Sequence, residues 1–300
     1  MKKVLIIGSL NMDMIVSVDS IPQIGETIIS NSVEKYSGGK GGNQAVACAR
    51  FNADTYMLAS IGNDQNGRKL KEDLEREGID TTGIKVHEYN KTGMAWITVD
   101  NEGNNSIVVI PGTNGDFTKE FIDENEKIIG QADIILLQME IPVDVVEYAI
   151  DKGRENDAFI ILNPAPARVL SEKLLSKIDV ITPNENELAT LTKSSDLSTN
   201  SEKAKYLIDL GVKNVICTLG ESGALFINSE EELYFPPYPV NAIDTTGAGD
   251  CFNGVLAAEI SKGRDMKQAI ENAILASAVS VTRRGAQPSM PVRQDIMNKI

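Results

Sequence analysis

The segment "DIILLQMEIPVDVVEYAIDKGRENDAFIILN", residues 133–163, decides the fold class of this chain. It begins with "DIILLQ" and ends with "AFIILN", two short apolar runs that are typical of β-strands buried on both faces. The intervening "PVDVVEYAIDKGREN" spaces its apolar residues as an amphipathic helix does. A buried strand, a helix and another buried strand in this order predict that the two strands lie parallel in one sheet.

The same alternation extends along the chain in both directions. Further strands are predicted at "KVLIIG", "TYMLASIG", "DVITPN" and "NVICTLG", which start at residues 3, 55, 179 and 214. Further helices are predicted at "NQAVACARF", "GRKLKEDLEREG", "EKAKYLIDLG" and "DMKQAIENAILASAVSV", which start at residues 43, 67, 202 and 265. This pattern predicts one α/β domain over residues 1–300, with a mostly parallel sheet covered by helices on both faces.

Two parts of the chain depart from this alternation, near residues 27–37 and at "TGMAWITVDNEGNNSIVVI", residues 92–110. In the second part, apolar and polar residues alternate with a period of two, and "NEGNN" is a hairpin turn signal. Period-two strands inside a parallel α/β chain predict a small separate sheet. From the pattern alone, that sheet is either a flap that covers a site or an edge hairpin without a function.

Composition and charge exclude several classes of protein. The chain has 300 residues, of which 42% are hydrophobic, and its formal net charge is −14. This excess of acidic residues repels polyanions on average, so we expect no nucleic-acid partner. The apolar stretch after "MKK" is only four residues long, and no apolar run approaches the roughly 18 residues that span a bilayer. We therefore expect a cytoplasmic protein with no membrane partner.

Cysteine and histidine are too scarce for the sites that depend on them. Cys48, Cys217 and Cys251 have no paired spacing, so we expect buried thiols rather than disulfides. His87 is the only histidine in the sequence, which leaves no material for a structural zinc site or a histidine-dependent triad.

Three glycine-rich segments occur where phosphate-binding loops are found in α/β proteins. They are "SGGKGGNQAVA" at residues 37–47, "TLGESGA" at residues 218–224 and "DTTGAGDCFNG" at residues 244–254. In the last segment Gly247, Ala248 and Gly249 precede Asp250, so three N–H groups can form a concave anion site at a helix start. The alternative is that Asp250 only caps a tight turn. Neither the first nor the last segment is a Walker loop or a dinucleotide-binding fingerprint.

Polar side chains recur directly after predicted strands. They are Asn11, Asp13, Glu140, Asn163, Asn184 and Glu187. Each can be explained locally as a cap or turn residue, but the carboxyl ends of parallel strands meet at one edge of the sheet. Their repetition therefore predicts a common crevice at that edge.

Nine motifs run along nearly the whole chain in a recognisable order. They are "GSLNMD" at Gly8, "PQIGET" at Pro22, "GGKGGNQAVA" at Gly38, "KTGMA" at Lys91, "LNPAPAR" at Leu162, "TPNENE" at Thr182, "TLGESG" at Thr218, "DTTGAGDCFNG" at Asp244 and "VTRRGAQPS" at Val281. Together they resemble the ribokinase-like (PfkB) sugar kinases. Many members of that family share the glycine motifs, whereas "NPAPAR" and "RRGAQPS" are more specific to the members that phosphorylate ribose.

This resemblance implies a three-layer α/β sandwich with a mostly parallel central sheet and a small β-sheet lid, formed near residues 11–37 and 92–110. It implies phosphoryl transfer from ATP, with Mg²⁺ and a monovalent cation such as K⁺, to the 5-hydroxyl of D-ribose. In the family the small sheet also pairs with that of a second subunit, so we expect a homodimer. Such pairing would explain an exposed face that includes Met94, Trp96 and Val109.

The resemblance also implies roles for individual positions of this chain. The sugar would be contacted by Asn11, Asp13, Gly39, Lys40, Gly41, Gly42, Asn43, Glu140 and Asp250. The nucleotide would be contacted by Asn184, Thr218, Leu219, Gly220, Glu221, Ser222, Gly223, Gly249 and Asp250. The anion hole would be formed by Gly247, Ala248 and Gly249, with Asp250 as the catalytic base. Glu187 would organise magnesium through water, and a monovalent cation would be held by Asp244, Thr246, Ser280, Arg283, Gly285 and Ser289.

One departure and two alternative functions qualify this assignment. Many family members place a polar residue near the adenine where this chain has Ile274. The alternatives are a family kinase for deoxyribose, fructose or adenosine, and a non-catalytic sugar sensor. Asn11 and Asp13 favour a fully hydroxylated small sugar, because a site built to bind a hydroxyl rejects an analogue that lacks it. Asp250, the glycine nest and Glu187 form a set that a sensor would not need.

Overall fold

The computed structural model describes residues 2–193 and 196–297, and within these ranges the chain forms thirteen strands and eleven α-helices. The strands are β1 (Lys3–Ile7), β2 (Asn11–Ser17), β3 (Ser32–Gly38), β4 (Asp54–Gly62), β5 (Asp80–His87), β6 (Gly93–Val99), β7 (Asn105–Ile110), β8 (Ile134–Leu137), β9 (Phe159–Leu162), β10 (Val180–Ile181), β11 (Asn214–Thr218), β12 (Ala224–Asn228) and β13 (Glu232–Phe235). The helices are α1 (Lys40–Arg50), α2 (Gln65–Arg76), α3 (Lys119–Glu124), α4 (Glu126–Ile129), α5 (Val143–Glu155), α6 (Glu172–Leu175), α7 (Glu185–Thr192), α8 (Asn200–Asp209), α9 (Ala248–Ser261), α10 (Met266–Ser280) and α11 (Arg293–Met297).

The large sheet has the strand order β13-β12-β11-β10-β9-β8-β1-β4-β5 within the described ranges. Its strands from β11 to β5 run parallel, and only β12 and β13 are added antiparallel at one edge. In the middle of the sheet, Ile6 pairs with both Met57 and Leu136. The predicted mostly parallel sheet is confirmed.

Helices cover both faces of this sheet. Val4 and Ile6 of β1 point into one apolar core, whereas Leu5 and Ile7 point into another, as the period of two in a strand requires. Helices α1, α9 and α10 supply buried side chains to the first core, and α5, α7 and α8 supply them to the second. The three layers predicted from the sequence are therefore present. Among the helices of the described ranges, none has both the length and the apolarity to cross a bilayer.

A second, four-stranded sheet has the order β3-β2-β6-β7 within the described part of the chain. Strand β2 pairs antiparallel with β3 and parallel with β6, and β6 and β7 form the predicted hairpin. The chain leaves the large sheet after Ile7 and enters the small one at Asn11. This short connection places Asn11 and Asp13 at the junction of the two sheets.

The strand register corrects one expectation about the small sheet. Trp96 lies directly opposite Val108, whereas Val109 lies opposite Ala95, whose neighbour on β2 is Asp13. Because directly paired residues share a face, Val109 is on the same face as Asp13, and Trp96 is on the other. The expectation that Met94, Trp96 and Val109 share one exposed face is therefore wrong.

Candidate active site

The starts of helices α1 and α9 lie side by side. Gly254, in the second turn of α9, permits this close packing, because a Cβ at that position would lie 2.4 Å from the backbone oxygen of Gln44. Glu140, which follows β8, accepts a hydrogen bond from the backbone N–H of Lys40 at 3.1 Å. Both helix starts are thus held near the carboxyl end of a central strand, where open α/β sheets bind their ligands.

Asp250 is buried between these two helices, with 7% of its surface exposed. Its Oδ2 accepts a hydrogen bond from Asn43 Nδ2 at 2.9 Å, and its Oδ1 accepts one from Gln44 Nε2 at 3.0 Å. Burial raises the pKa of Asp250, while the charge of Lys40 and the two amide donors oppose that rise. A carboxylate with a raised pKa and fixed geometry is suited to accept a proton.

The start of α9 presents N–H groups that no side chain of the described residues caps, although the backbone N–H of Ala248 donates to the Thr245 oxygen at 3.2 Å. Gly247 is the N-cap residue and has a φ of 75°, a left-handed conformation that favours glycine. A Cβ at Gly249 would meet nothing within 4 Å, so the first turn faces open space. Asp250 lies three residues after the cap, and its carboxylate accepts hydrogen bonds from α1 rather than from the N–H groups of its own helix.

Glu140 and Asp13 bring two more carboxylates to the start of α1. Glu140 Oε2 accepts the backbone N–H of Lys40 and also the hydroxyl of Ser9, at 2.5 Å. It therefore supplies the cap that Gly39 cannot, since glycine has no side chain. The Asp13 carboxylate packs against the backbone of Gly38. A Cβ at position 38 would lie 2.1 Å from Asp13 Oδ2.

Asn11 and Asn43 present amide groups to the same junction. Asn114 donates from Nδ2 to Asn11 Oδ1 at 2.8 Å, and it also bonds both backbone groups of Leu10. This arrangement turns the Nδ2 donor of Asn11 away from Asn114. Asn43 Oδ1 is buried and has no hydrogen-bond partner among the described residues. An unpaired buried acceptor beside Asp250 fits a ligand hydroxyl as its missing donor.

Lys40 is surrounded by carboxylates. Burial alone would lower the pKa of Lys40, but Asp250, Glu140, Glu187 and Asp13 together raise it. Burial and the charges of Glu140 and Asp250 raise the pKa of Asp13 to about 7, although Lys40 opposes the shift. The charge of Lys40 therefore partly offsets the charges of these carboxylates.

Asn184, Glu187 and Thr218 form a second group of predicted residues. Asn184 Oδ1 accepts the N–H of Glu187 at 2.8 Å, and Glu187 Oε2 accepts the N–H of Asn184 at 2.9 Å, which is a capping box at the start of α7. Burial raises the pKa of Glu187. The charge of Asp250 raises this pKa further, and the charge of Lys40 lowers it. A β-bridge joins Asn184 to Thr218. The structure thus brings Glu187 within electrostatic range of Asp250.

The segment after Thr218 is a tight turn between two antiparallel strands. Gly220–Ser222 form a single 3-10 turn, and the N–H of Leu219 donates to the Gly223 backbone oxygen at 2.8 Å. Gly223 has a φ of 90°, and a Cβ there would lie 2.1 Å from the Phe235 oxygen. The segment is thus a strand-turn-strand, and the geometry explains why glycine occupies position 223.

The loops predicted to hold a monovalent cation are tied together by Asp244. Its Oδ1 accepts the N–H of Thr246 at 2.9 Å, and its Oδ2 accepts the N–H of Gly285 at 2.8 Å. Burial alone would raise the pKa of Asp244, but these hydrogen bonds lower it. The side chain of Arg283 is turned to Asp295, at 2.9 Å. Arg283 can therefore serve a cation only through its backbone.

The donors at these loops are oxygen atoms, namely a carboxylate, hydroxyls and backbone carbonyls. This set suits a hard monovalent cation. The Ser289 hydroxyl donates to the backbone oxygen of Ala286, and the Ser280 hydroxyl, at the end of α10, donates to that of Ser277. Within the described residues no group of three or more His, Cys, Asp or Glu side chains is placed to hold a metal ion.

The comparison with protein families decides what the chain is related to. The profile of the pfkB family carbohydrate kinases matches residues 1–293. The chain belongs to the pfkB family of carbohydrate kinases. The resemblance seen in the nine motifs is confirmed.

Several relatives from this family are named for their activity. A ribokinase of Haemophilus influenzae is 39% identical over 298 residues, which cover 99% of this chain and 97% of that protein. A deoxyribokinase of Salmonella typhi is 37% identical over 290 residues, 95% of this chain and 94% of that one. A bifunctional ribokinase/ribose-5-phosphate isomerase A of Fructilactobacillus sanfranciscensis is 38% identical over 304 residues; this chain spans 56% of its length.

Two solved structures share the fold. The crystal structure of a ribokinase from Thermotoga maritima has a TM-score of 0.93 and 37% identity, with 99% of both chains covered. The structure of Arabidopsis thaliana ribokinase complexed with ribose and ATP has a TM-score of 0.93 and 29% identity, with 99% of both chains covered. The predicted ribokinase-like sandwich is confirmed.

Four residues that hold the site were not predicted to take part in it. They are Ser9, Gln44, Asn114 and Gln138. Gln44 was detectable, because it follows Asn43 in the glycine motif at the start of the predicted helix. Asn114 and Gln138 lie far from their partners in sequence, so no local pattern connects them.

Two further features lie outside the residue groups described above. Ile274 of α10 is partly buried and packs against the apolar core. A cavity of about 540 Å³ lies between the small sheet and α2, where Ser37 donates to Asp73 at 2.7 Å. None of the predicted sugar-binding or nucleotide-binding residues lines this cavity.

Proposed function

We propose that this pfkB-family kinase transfers the γ-phosphoryl group of ATP to the 5-hydroxyl of D-ribose, giving D-ribose 5-phosphate and ADP. The observation that carries the proposal is Asp250, which Asn43 and Gln44 hold at the start of α9 beside uncapped N–H groups. The names of the relatives and the Arabidopsis complex with ribose and ATP support ribose and ATP as substrates.

The sugar lies at the junction of the two sheets in this proposal. The side chains and backbone that contact it are those of Asn11, Asp13, Gly39, Lys40, Gly41, Gly42, Asn43, Glu140 and Asp250. The Nδ2 donor of Asn11 and the unpaired Oδ1 of Asn43 offer one donor and one acceptor to hydroxyl groups. Carboxylates accept further hydroxyl hydrogens, which a sugar with several hydroxyls supplies.

The transfer step follows from the position of Asp250. The carboxylate accepts the proton of the 5-hydroxyl while that oxygen bonds to the γ-phosphorus, and the bond from phosphorus to the β–γ bridging oxygen breaks to release ADP. The N–H groups of Gly247, Ala248 and Gly249 stabilise the charge on the transferred oxygens. The raised pKa of Asp250 makes its carboxylate a stronger base than that of an ordinary aspartate.

The nucleotide and ions occupy the neighbouring loops. Asn184 and residues 218–223 contact the nucleotide, together with Gly249 and Asp250. Glu187 would hold Mg²⁺ through water, and the ion would supply positive charge for the phosphate oxygens. The loops tied by Asp244 would bind K⁺ through Asp244, Thr246, Ser280, Arg283, Gly285 and Ser289, and the ion would help to fix the start of α9.

The small sheet acts as a lid and as a dimer interface in this proposal. Residues 11–37 and 92–110 form the lid on a single kinase domain, and closing it excludes water from ATP. Val108 and Val109 of edge strand β7 are 60% and 51% exposed, on opposite faces of the sheet. Apolar faces and an unpaired edge favour association with a second copy. We place the enzyme in the cytoplasm.

A second candidate is phosphorylation of 2-deoxyribose, which the 37% identity to a deoxyribokinase supports. Both candidates are tested by measuring ADP production with D-ribose, 2-deoxyribose, fructose and adenosine as acceptors. We expect the highest kcat/KM with D-ribose. A higher kcat/KM with 2-deoxyribose would replace the proposal with the second candidate. Ribose binding without ADP production would instead indicate a sensor.

A further inference from the structure

Gln44 is a buried amide in the first turn of α1 with 0% of its surface exposed. Its Nε2 donates to Asp250 Oδ1 and to Asn163 Oδ1, both at 3.0 Å. Its Oε1 accepts a hydrogen bond from Gln138 Nε2 at 2.6 Å. Every hydrogen-bonding group of this side chain is therefore directed to a buried partner.

The direction of these hydrogen bonds is fixed by a backbone carbonyl. Asn163 donates from Nδ2 to the backbone oxygen of Thr182 at 3.3 Å, and a carbonyl can only accept. Asn163 must therefore present its Oδ1 to Gln44, and Gln44 must present its Nε2 in return. If Gln44 were flipped, its Oε1 would face two acceptors, which would leave three buried atoms unsatisfied.

Asn43 and Gln44 together set the plane of the Asp250 carboxylate, because each donates to a different oxygen. Asn43 lies on the sugar side, where its Oδ1 is unpaired. Gln44 lies on the side of the strand ends, where Gln138 and Asn163 hold it. The charged groups that act on Asp250 are Lys40, Glu140, Asp13 and Glu187.

We propose that Gln44 is a positioning residue for Asp250: the amide chain from Thr182 through Asn163 and Gln44 holds the carboxylate in the orientation that receives the hydroxyl proton. Gln138 locks this chain from the other side. The inference rests on the proposed function, since it assigns Asp250 as the base. It adds a residue that touches neither the sugar nor the nucleotide.

Gln44→Met tests the proposal, because methionine has a similar length and no donor. We expect kcat with D-ribose to fall by about tenfold to a hundredfold, as for a misplaced catalytic group, while KM stays within about threefold. The acid limb of the kcat–pH profile should move to higher pH, because the carboxylate loses a donor that favours its charged form. Val46→Ala, a core truncation in the same helix, is the control for lost stability and should keep kcat within about twofold.

Gln138→Met is a second variant that touches Gln44 but not Asp250. Gln138 Oε1 is buried and unpaired, so this substitution removes one unsatisfied atom but leaves Gln44 Oε1 without its donor, and the number of unsatisfied buried atoms stays the same. We expect a smaller loss of kcat, about threefold to tenfold, with the same shift of the pH profile. The double variant should be no slower than Gln44→Met alone.

An unchanged kcat and pH profile in folded Gln44→Met would overturn the positioning role. If Gln44→Met does not fold, Gln138→Met decides alone, and an unchanged pH profile there would overturn the role. Wild-type protein without ribose-dependent ADP production would instead refute the proposed function, so the two failures are distinguishable.

Discussion

Asn43 Nδ2 donates a hydrogen bond of 2.9 Å to Asp250 Oδ2, although the two residues are 207 positions apart in the chain. This contact joins two of the three glycine-rich segments at one point. Gly254 allows it, because any side chain there would collide with the backbone of α1. The last glycine of "DTTGAGDCFNG" is thus explained by helix packing, and the first by the left-handed turn at Gly247.

Asp250→Asn should leave ribose and ATP affinity within a few fold and lower kcat by roughly 10² to 10⁴, about 3 to 5.5 kcal/mol of barrier. Asparagine keeps the size of the side chain but cannot accept the hydroxyl proton. Asp265→Asn is the control, because Asp265 is the N-cap of α10 and asparagine caps equally well. Near-normal turnover in folded Asp250→Asn would end the assignment of Asp250 as the base.

Most of the large sheet could be predicted from the sequence, because its strands are continuous apolar runs. Strand β5 was missed, since it lies at the sheet edge and mixes buried, partly buried and exposed residues instead of forming a continuous apolar run. The small sheet was located, but its register was not predictable from the period of two. Only the pairing of Trp96 with Val108 shows which apolar residues share a face.

The candidate site was predictable where residues belong to a motif and not where they come from separate loops. Asn11, Asp13 and Asp250 follow strands or start helices, so their positions in the chain predict their positions in the crevice. Asn114 orients Asn11 from a 3-10 turn, and no local pattern links the two. Long-range contacts between polar side chains depend on the three-dimensional packing of the elements that carry them.

Asn11→Leu should weaken the binding of D-ribose more than that of 2-deoxyribose. The difference should be about 1 to 3 kcal/mol if one buried hydrogen bond to a hydroxyl is lost. Asn114 occupies the Oδ1 of Asn11, so the Nδ2 is the group available to the sugar. Asn125→Leu, far from the junction, is the control for losing a partly buried amide that bonds a backbone oxygen. Equal losses of kcat/KM for the two sugars would remove Asn11 from a discriminating role.

Asp13→Asn should stabilise the free protein at pH 8 but not at pH 5. The pKa of Asp13 rises from its ordinary value of 3.8 to about 7, so the folded state binds the proton more tightly than the unfolded chain. Stability therefore falls as pH rises from about 4 to 7, because the buried charge becomes unfavourable. Asparagine avoids this charge, and the melting temperature at pH 8 should rise by about 2 to 4 °C.

Asp19→Asn is the matched control for this pH dependence. Hydrogen bonds from Asn31 and Asn101 lower the pKa of Asp19, so its substitution should not raise the melting temperature at pH 8. Melting curves of both variants at pH 5 and pH 8 provide the measurement. A gain for Asp13→Asn that is equal at the two pH values would contradict a raised pKa at Asp13.

Potassium should raise the activity relative to tetramethylammonium at matched ionic strength, by about tenfold. A cation in the loops tied by Asp244 would fix the start of α9 and add positive charge near the phosphates. Asp244→Asn should abolish most of this difference, because asparagine lacks the negative charge. The rate in the two salts is the measurement, and a flat response in the wild-type protein would refute a cation site here.

The wild-type protein should be a dimer at micromolar concentration, and Ile107→Glu/Val108→Glu should make it monomeric. These two residues are neighbours on edge strand β7, so the double variant places a charge on each face of the small sheet. Both are exposed, and burying an apolar side chain of this size contributes about 1.5 kcal/mol or more, so the dissociation constant should rise at least about a hundredfold. Val86→Glu/Val292→Glu adds the same charge at two exposed valines outside the small sheet and should leave the dimer intact. Mass measurement in solution separates the outcomes: a fully active monomeric wild-type protein, or a dimer that only the control variant disrupts, would show that the small sheet is not the interface.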